Sequence, residues 1–543
     1  MPDQIKAYIC DLEDQVNNLT DIGLALSREK DMNKLLEMIL LEAKRIANSD
    51  AGTLYMLTED QRLKFEIMMT DSLKFHMGGT SGKEIPFYPV KLYLDDGKPN
   101  NNMNVSYVAL TGETSNLPDA YEAEGFDFSG TKAFDQKTGY RSKSFLTVPL
   151  KNHEEEIIGV LQLINAQDPQ SGETITFSSK IQNLVEALSS QAAVAITNKK
   201  LIKDLEVLFE SFIKLIASAI DAKSPYTGGH CERVPVITML LAEAVHDTKD
   251  GPFKDISFTE KEMYELRIAA WLHDCGKVTT PEYVVDKATK LETIFDRINS
   301  IALRFEILKR DEELKFLRKK FKIESDPKYT DSDRKVALSK AKEAYRRRLK
   351  KMNDDLEFLR TTNVGGEFMS DDKKERAKRI ALYRWKENGI AKPLLDENEL
   401  YNLMISRGTL TNEERQIINN HIVMTIEMLE QLPYPKHMRN VPEFAGGHHE
   451  KMDGSGYPKG LMKDEMSIQA RMMAIADIFE ALTACDRPYK KGKTLSQAMR
   501  ILGFMKNDSH IDPDLFDIFI DKKIYQKYAE ENLDPSQIDE VQI

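Results

Sequence analysis

A chain of 543 residues exceeds one ordinary domain and points to about three or four units. With 41% hydrophobic and 30% charged residues it is globular, neither fibrous nor wholly disordered. Its 88 acidic residues outnumber 76 basic ones for a formal net charge of -12, which weighs against gripping long nucleic acids by the backbone but leaves a small phosphate ligand open.

The N-terminus, MPDQIKAYICDLEDQ, is charged from the start and lacks the apolar core of a signal peptide. No run of eighteen apolar residues occurs, so no membrane span is expected. The four cysteines, Cys10, Cys231, Cys275 and Cys485, form no CxxC and are too few to staple so long a chain; a cytoplasmic, reducing location fits them.

Residues 1 to about 45 carry apolar positions at three-and-four spacing and read as helix, with 1–20 set apart as an N-terminal helix. The period then changes. AGTLYMLTEDQRLKFEIMM gives two short strands around TEDQ, and SFLTVPLKNHEEEIIGVLQLINA repeats the pattern around KNHEEE. Some 70 residues rich in Gly, Asn, Pro and Asp lie between them as loops with short strands. A nearly unbroken helical pattern follows over 178–222, long enough for a coiled-coil connector, with an imperfect apolar seam through Leu184, Leu188, Ala192, Ile196, Leu201, Leu205 and Leu208. Either two such helices pair in a dimer or one packs along its own domain.

The opening helix, the strand pair from Ala51, FLTVPL, EEIIGVLQLINA and the helix through AVAITN resemble a GAF domain, an α/β sensor module placed here at 21–177. The resemblance implies a small ligand or chromophore in that domain, or a scaffold for homodimerisation. Members that bind cyclic nucleotides carry Asn-Lys, Phe and Asp-Glu; here Asn165 precedes Ala166, and Ser178 to Gln182 follow Phe177 without the charged pair. No cysteine falls within 50–200 to anchor a bilin.

From Ser224 the apolar spacing is helical throughout and strand alternation is absent, so an all-α domain is expected in two parts, 223–288 and 394–543. The interruption, 289–393, holds two charged amphipathic runs around SDPKYTDSD and reads as an antiparallel helical hairpin. Its Arg346, Arg347, Arg348, Lys350 and Lys351 either steer an anionic partner or form a solvated face among acidic neighbours. In GTLTNEE, Thr411 and Glu414 stand in the capping-box places of a helix start.

Chemistry-bearing residues concentrate in the all-α parts. His273 and Asp274, in HDCGK, interrupt an apolar helical run, where burial is costly unless a metal binds them or one is a satisfied core histidine beside a surface aspartate. His230 begins a helix, His421 lies on the apolar side of another, His448 and His449 sit in GGHHEKMDGSGYP, and Asp477 is an isolated carboxylate in MMAIADIFEAL. Half of the ten histidines occupy these places. Five imidazoles and two carboxylates exceed the needs of one ion and match two octahedral ions about 3.5–4 Å apart, sharing a carboxylate and a hydroxide that attacks a phosphoester.

YTGGHCERV, HDCGK, the Asn420-His421 segment, HHEKMDGSGYP and ADIFEALTACDRPYKK, in this order, resemble an HD-GYP domain, a helical-bundle branch of the HD-superfamily metal phosphohydrolases. The resemblance implies that His230, His273, Asp274 and Asp477 hold one divalent ion, Fe or Mn, and Asp274, His421, His448 and His449 the other, with Asp274 bridging. It implies that Lys277 meets the scissile phosphate or leaving oxygen, and that Gly456, Tyr457, Arg487, Lys490 and Lys491 shape the substrate cleft. A lysine one helical turn past the bridge suits a phosphodiester, and Arg487 offers a fork for phosphate or guanine, or else an ion pair within the fold. Tyr226 replaces the glutamate of three-metal members, and Asp274 and His421 stand 147 residues apart, farther than is usual in the family. The implied reaction is hydrolysis of cyclic di-GMP to pGpG or GMP. A 3',3'-cyclic GMP-AMP or other phosphoester substrate, and a binding protein without turnover, are the alternatives.

Overall fold

The computed structural model describes residues 17–223, 229–485 and 492–541. The chain forms two compact units, Met1–Leu208 and Phe209–Ile543.

In the first unit a helix over 17–28, α1, precedes α2, Met32–Ala47. Asp31 caps α2 by accepting from the Lys34 amide, and Asn48 ends it in the left-handed region. The sheet follows: β1 Ser49–Leu57, β2 Arg62–Thr70, β3 Phe75–Gly78, β4 Val90–Lys91, β5 Ser115–Leu117, β6 Phe145–Lys151, β7 Ile157–Gln167 and β8 Thr174–Ile175. Its order is β3-β2-β1-β7-β6-β5, with β4 beside β2 and β8 beside β7, and every pairing is antiparallel. The two long hairpins turn at the TEDQ and KNHEEE segments.

Alternation along β1 sends Leu54 to one face with Ile39, Leu40 and Leu163, and Tyr55 to the other with Val108 and Val160. Gly52 lets α2 lie close, since a Cβ there would come within 2.7 Å of Leu40 Cδ1. On the second face, with α3 (Asn104–Thr111) and α4 (Ser129–Thr138), is a cavity of about 330 Å³.

Helix α5, Ser179–Lys223, corrects the expected seam. Leu188, Ala192 and Ile196 are buried in the first unit's core, whereas Leu201, Leu205 and Leu208 are exposed. Steps of four from Leu184 to Ile196 rotate around a helix of 3.6 residues per turn, so these residues do not share one face with the later ones.

The second unit contains α6 His230–His246, α7 Glu260–Leu272, a 3-10 turn Cys275–Thr279 and α8 Glu282–Val285. Next come α9 Ile298–Ser325, α10 Asp331–Asn363, α11 Asp371–Ala381 and α12 Glu397–Leu403. After these, α13 Asn412–Glu430, α14 Val441–Gly446, α15 Ile468–Thr483, α16 Leu495–Asn507, α17 Pro513–Asp521 and α18 Ile524–Asn532 complete the bundle. Thr411 and Glu414 form the capping box of α13. Val234, Ile237, Leu266, Ala269, Ile475 and Phe479 lie at the centre of the core.

Helices α9 and α10 run antiparallel, with Phe316 stacked on Tyr345 and Arg348 paired with Glu312. Arg347 lies 3.8 Å from Glu343, so these basic residues have acidic neighbours. The insertion also holds a two-stranded hairpin, β9 Arg384–Glu387 with β10 Ile390–Pro393. This corrects the expectation of no strands after Ser224. The strands are mostly exposed and only four residues each, too short and polar to show alternation.

The insertion has its own core at its base, from Leu291, Phe305, Leu308, Met352, Leu359 and Leu403. Beyond Leu308 in α9 and before Met352 in α10, the buried residues are Ile323 and Ala341 alone among those described. Replacing residues 311–348 with a short Gly/Ser turn is therefore expected to move the melting temperature by only a few degrees, as exposed ion pairs contribute about 0–1 kcal/mol each. Circular dichroism on the shortened chain checks this, and collapse of the helical signal would place the outer hairpin in the folding core.

Candidate metal centre

Five separate pieces of the second unit deliver the candidate ligands to one place. His230 opens α6 behind Gly229, whose φ of 79° turns the chain into the helix. His273 and Asp274 close α7, His421 lies in α13, His448 and His449 follow α14, and Asp477 lies in α15. Three overlapping groups have ligand atoms within 4.8 Å of one another: His421, His448 and His449; His230, His273 and Asp477; and His273, Asp274 and His448.

The HDCGK glycine has a packing cause. A Cβ on Gly276 would fall on the His421 carbonyl oxygen and within 2.6 Å of the Thr425 amide, and the Gly276 amide donates to Thr425 Oγ1 at 2.9 Å. This contact presses the turn after Asp274 onto the helix that carries His421.

The two oxygens of Asp274, 1% exposed, face different partners. Oδ2 lies 3.2 Å from His230 Nε2 and 3.3 Å from His273 Nε2, and accepts from Lys277 Nζ. Oδ1 lies 3.2 Å from His421 Nε2. On the other side, His230 Nε2 is 3.3 Å from Asp477 Oδ1.

Histidines 273, 421 and 448 each direct Nδ1 at a carbonyl three residues earlier, on Ala270, Ile418 and Ala445. A carbonyl only accepts, so Nδ1 carries the proton and Nε2 presents a lone pair inward, the arrangement metal-binding imidazoles use. His421 Nε2, His448 Nε2 and Asp274 Oδ1 are buried without a hydrogen-bond partner. Orphaned buried acceptors are costly, and cations held by the overlapping groups to which they belong would satisfy them. The donor set therefore fits a pair of divalent ions.

Charge follows the same geometry. Burial opposes it, but hydrogen bonds to Asp274, Asp477 and Glu480 hold the His230 pKa well above the usual histidine value. Burial likewise opposes ionisation of Asp274, yet the Lys277 ammonium, with the His230 hydrogen bond, keeps it well below the usual carboxylate range. Burial, with His449 and His273 nearby, pushes His448 well down, and burial carries His449 down to about 4.

The sequence reading missed Glu480. Asp477 is not the isolated carboxylate it resembled: Glu480, 1% exposed, lies three residues on, binds His230 Nδ1 and accepts from Arg233 Nε at 2.7 Å. A second acid at i+3 in an apolar helix was the available signal. Lys277 reaches the cluster through Asp274, and the Tyr457 ring stacks on His449 with centroids 4.9 Å apart. Gly456 serves the turn itself, since a Cβ there would collide with the backbone of Glu450 and Lys451. Tyr226, Arg487, Lys490 and Lys491 lie outside the described residues.

Residues 389–515 match the HD domain family, and residues 31–196 match the GAF domain family. The chain carries an HD domain behind a GAF domain. Over 140 residues it is 38% identical to a probable cyclic di-GMP phosphodiesterase of Vibrio cholerae, covering 24% of this chain and 31% of that protein. A 3'3'-cGAMP-specific phosphodiesterase of the same organism is 38% identical over 112 residues, covering 20% and 23%. A cyclic di-GMP phosphodiesterase of Thermotoga maritima is 33% identical over 131 residues, covering 24% and 35%. The matches thus span about a quarter to a third of these relatives' lengths. The HD match begins at residue 389, at the very end of the insertion, and His230, His273 and Asp274, which precede it in sequence, meet its histidines through the geometry above.

Two expectations follow. Gly276→Ala, clashing with backbone, should destabilise the second unit by about 3 kcal/mol, the upper end for overpacking, and lower metal uptake; thermal melts and metal analysis read both effects. Chelator-treated protein should lose stability as pH falls from about 6.5 towards 4, because His449 and His448 stay neutral in the fold while the unfolded chain takes up protons. His230 opposes this slope in the upper part of the range, since it is already protonated in the fold while its unfolded form still takes up a proton near 6.5, but two depressed histidines outweigh one raised one, and the depressed Asp274 and Asp477 act only lower down. Denaturant midpoints across that range check the sign, and His449→Gln should flatten the profile.

Proposed function

We propose that the HD domain is a metal-dependent phosphodiesterase of cyclic dinucleotides, hydrolysing cyclic di-GMP to pGpG or GMP, with 3',3'-cyclic GMP-AMP as the alternative substrate. The observation that carries this reading is the convergence of three orphaned buried acceptors, Asp274 Oδ1, His421 Nε2 and His448 Nε2, inside one His/Asp cluster. His230, His273, Asp274 and Asp477 would hold one ion, and Asp274, His421, His448 and His449 the other. Mixed imidazole and carboxylate ligands suit Fe or Mn. Such a pair supplies an acidified water and neutralises phosphate charge.

The chain's own groups do the rest. Glu480 fixes the His230 ring, held in turn by Arg233. Lys277, 28% exposed at its side chain, stands at the open edge and can turn its ammonium from Asp274 to a phosphate oxygen. Tyr457 covers His449 and limits water on that side. In the GAF domain, the cavity is lined by Tyr55, Phe65, Phe75, Phe87, Phe134 and Gln162 among others, with no Lys, Arg or His among the described residues. It suits a neutral, largely apolar regulator over a nucleotide.

Protein loaded anaerobically with Fe(II) or Mn(II) is expected to linearise at least one of the two cyclic dinucleotides. No product from either, with both ions bound, would leave a binding protein without turnover. Asp274→Asn should lower metal content and reduce turnover by about a thousandfold or more, since it takes the shared ligand from both positions. Full activity in that variant would refute a two-ion site.

A further inference from the structure

The last turn of α5 grips two of the segments that bring the candidate ligands together. Lys223, the final residue of the helix, donates from one ammonium to three carbonyls, on Lys277 at 3.2 Å, on Thr280 at 2.7 Å and on Val278. These oxygens lie at the end of the 3-10 turn Cys275–Thr279, whose first backbone bond runs from the Lys277 amide to the Asp274 carbonyl at 2.9 Å. An ammonium shared among the last carbonyls of a turn satisfies them and fixes the backbone that carries them. Gly276 already holds the other side of this turn against Thr425. Two residues before Lys223, Asp221 is 6% exposed and accepts from the Cys231 amide at 3.1 Å. Gly229 has no side chain with which to cap α6, so Asp221 supplies the acceptor from another helix. Cys231 directly follows His230, and this bond fixes the first turn of α6.

We propose that Asp221 and Lys223 are positioning residues, which hold His230 and Asp274 at the separation one divalent ion requires. The inference rests on the two-ion reading of the cluster. His230 and Asp274 stand 44 residues apart in the chain, yet His230 Nε2 lies 3.2 Å from Asp274 Oδ2. Neither segment sets that distance alone. Asp221 and Lys223 are separated by about 3 Å along one helix axis, so the two grips cannot shift independently. Ala217 and Ile220, buried in the core just before them, anchor the turn itself. Asp221, Lys223, His230, Asp274 and Lys277 also border one small cavity of about 10 Å³, which places the grip directly beside the cluster. Groups that orient metal ligands from behind in this way change metal affinity by about 10–100-fold when removed.

The test uses the full chain loaded with Mn(II), and reads ions bound per chain and the rate of their loss to a chelator. The parent should hold two ions. Asp221→Ala and Lys223→Met should each release one of them about tenfold faster or more, with parental helix content. Asp221→Asn keeps an acceptor oxygen and Lys223→Arg keeps the donors, so both should retain metal nearly as the parent does. In a His230→Gln background, Asp221→Ala should add nothing, because the ion it acts on is already lost. Parental retention in the folded Asp221→Ala and Lys223→Met chains would overturn the proposal and leave the two-ion reading intact. Equal loss in both conservative variants would mark a packing effect and also overturn it. A parent that binds fewer than two ions would overturn the two-ion reading and the proposal together. Absence of turnover with both ions bound counts only against the phosphodiesterase reading, and ion retention still decides the proposal.

Discussion

The Asp274 carboxylate is buried with one oxygen towards His230, His273 and Lys277 and the other towards His421, and much of the second unit serves to make that placement tolerable. An ionised carboxylate inside a protein is strongly unfavourable unless it is paired and hydrogen-bonded. Its partners come from both sides of the insertion, so the pairing requires α7 and α13 to meet closely. Gly276 supplies that approach, because any larger residue would hold the turn off the His421 carbonyl. The packing of one glycine and the charge balance of one aspartate are thus the same constraint.

The insertion can interrupt this arrangement because it leaves and returns at neighbouring points and closes on itself. The Lys290 amide donates to the Asn363 carbonyl at 2.8 Å, and Lys290 Nζ donates to the carbonyls of Leu403 and Ile405. Lys287 ties the root to Glu414, the residue that caps α13. Loop-closure cost rises only slowly with length, and a separate core at the base offsets the ordering of the added helices. A folded excursion of this kind leaves the helix bearing His421 anchored at its own N-terminus.

The His/Asp cluster was legible in the sequence because chemistry-bearing residues stood in places where burial without a partner is costly. The turns at TEDQ and KNHEEE were legible because polar residues broke strand alternation. Other features depend on tertiary placement. The repeated steps of four through Leu188, Ala192 and Ile196 could not reveal which face of α5 meets the first unit's core. Gly276 read as part of a motif, while its cause lies 145 residues away in sequence at His421. Glu480 takes its role only from tertiary placement, which sets Arg233 and His230 on its two oxygens.

His230 differs from the other histidines in the cluster, and the difference has a consequence for binding. Its Nδ1 meets a carboxylate rather than a carbonyl, and its Nε2 faces Asp274 and Asp477. The surrounding acids favour the imidazolium, which donates from both nitrogens. His448 and His449 are held neutral by burial, so they offer lone pairs without first losing a proton. A metal ion held by His230 would have to displace its Nε2 proton, whereas one held by His448 and His449 would not. The two halves of the cluster thus differ in charge, the imidazolium standing where Asp477 and Glu480 converge on His230. Glu480 holds the Nδ1 proton in place, and in that arrangement a freed Nε2 would be a stronger donor to a metal.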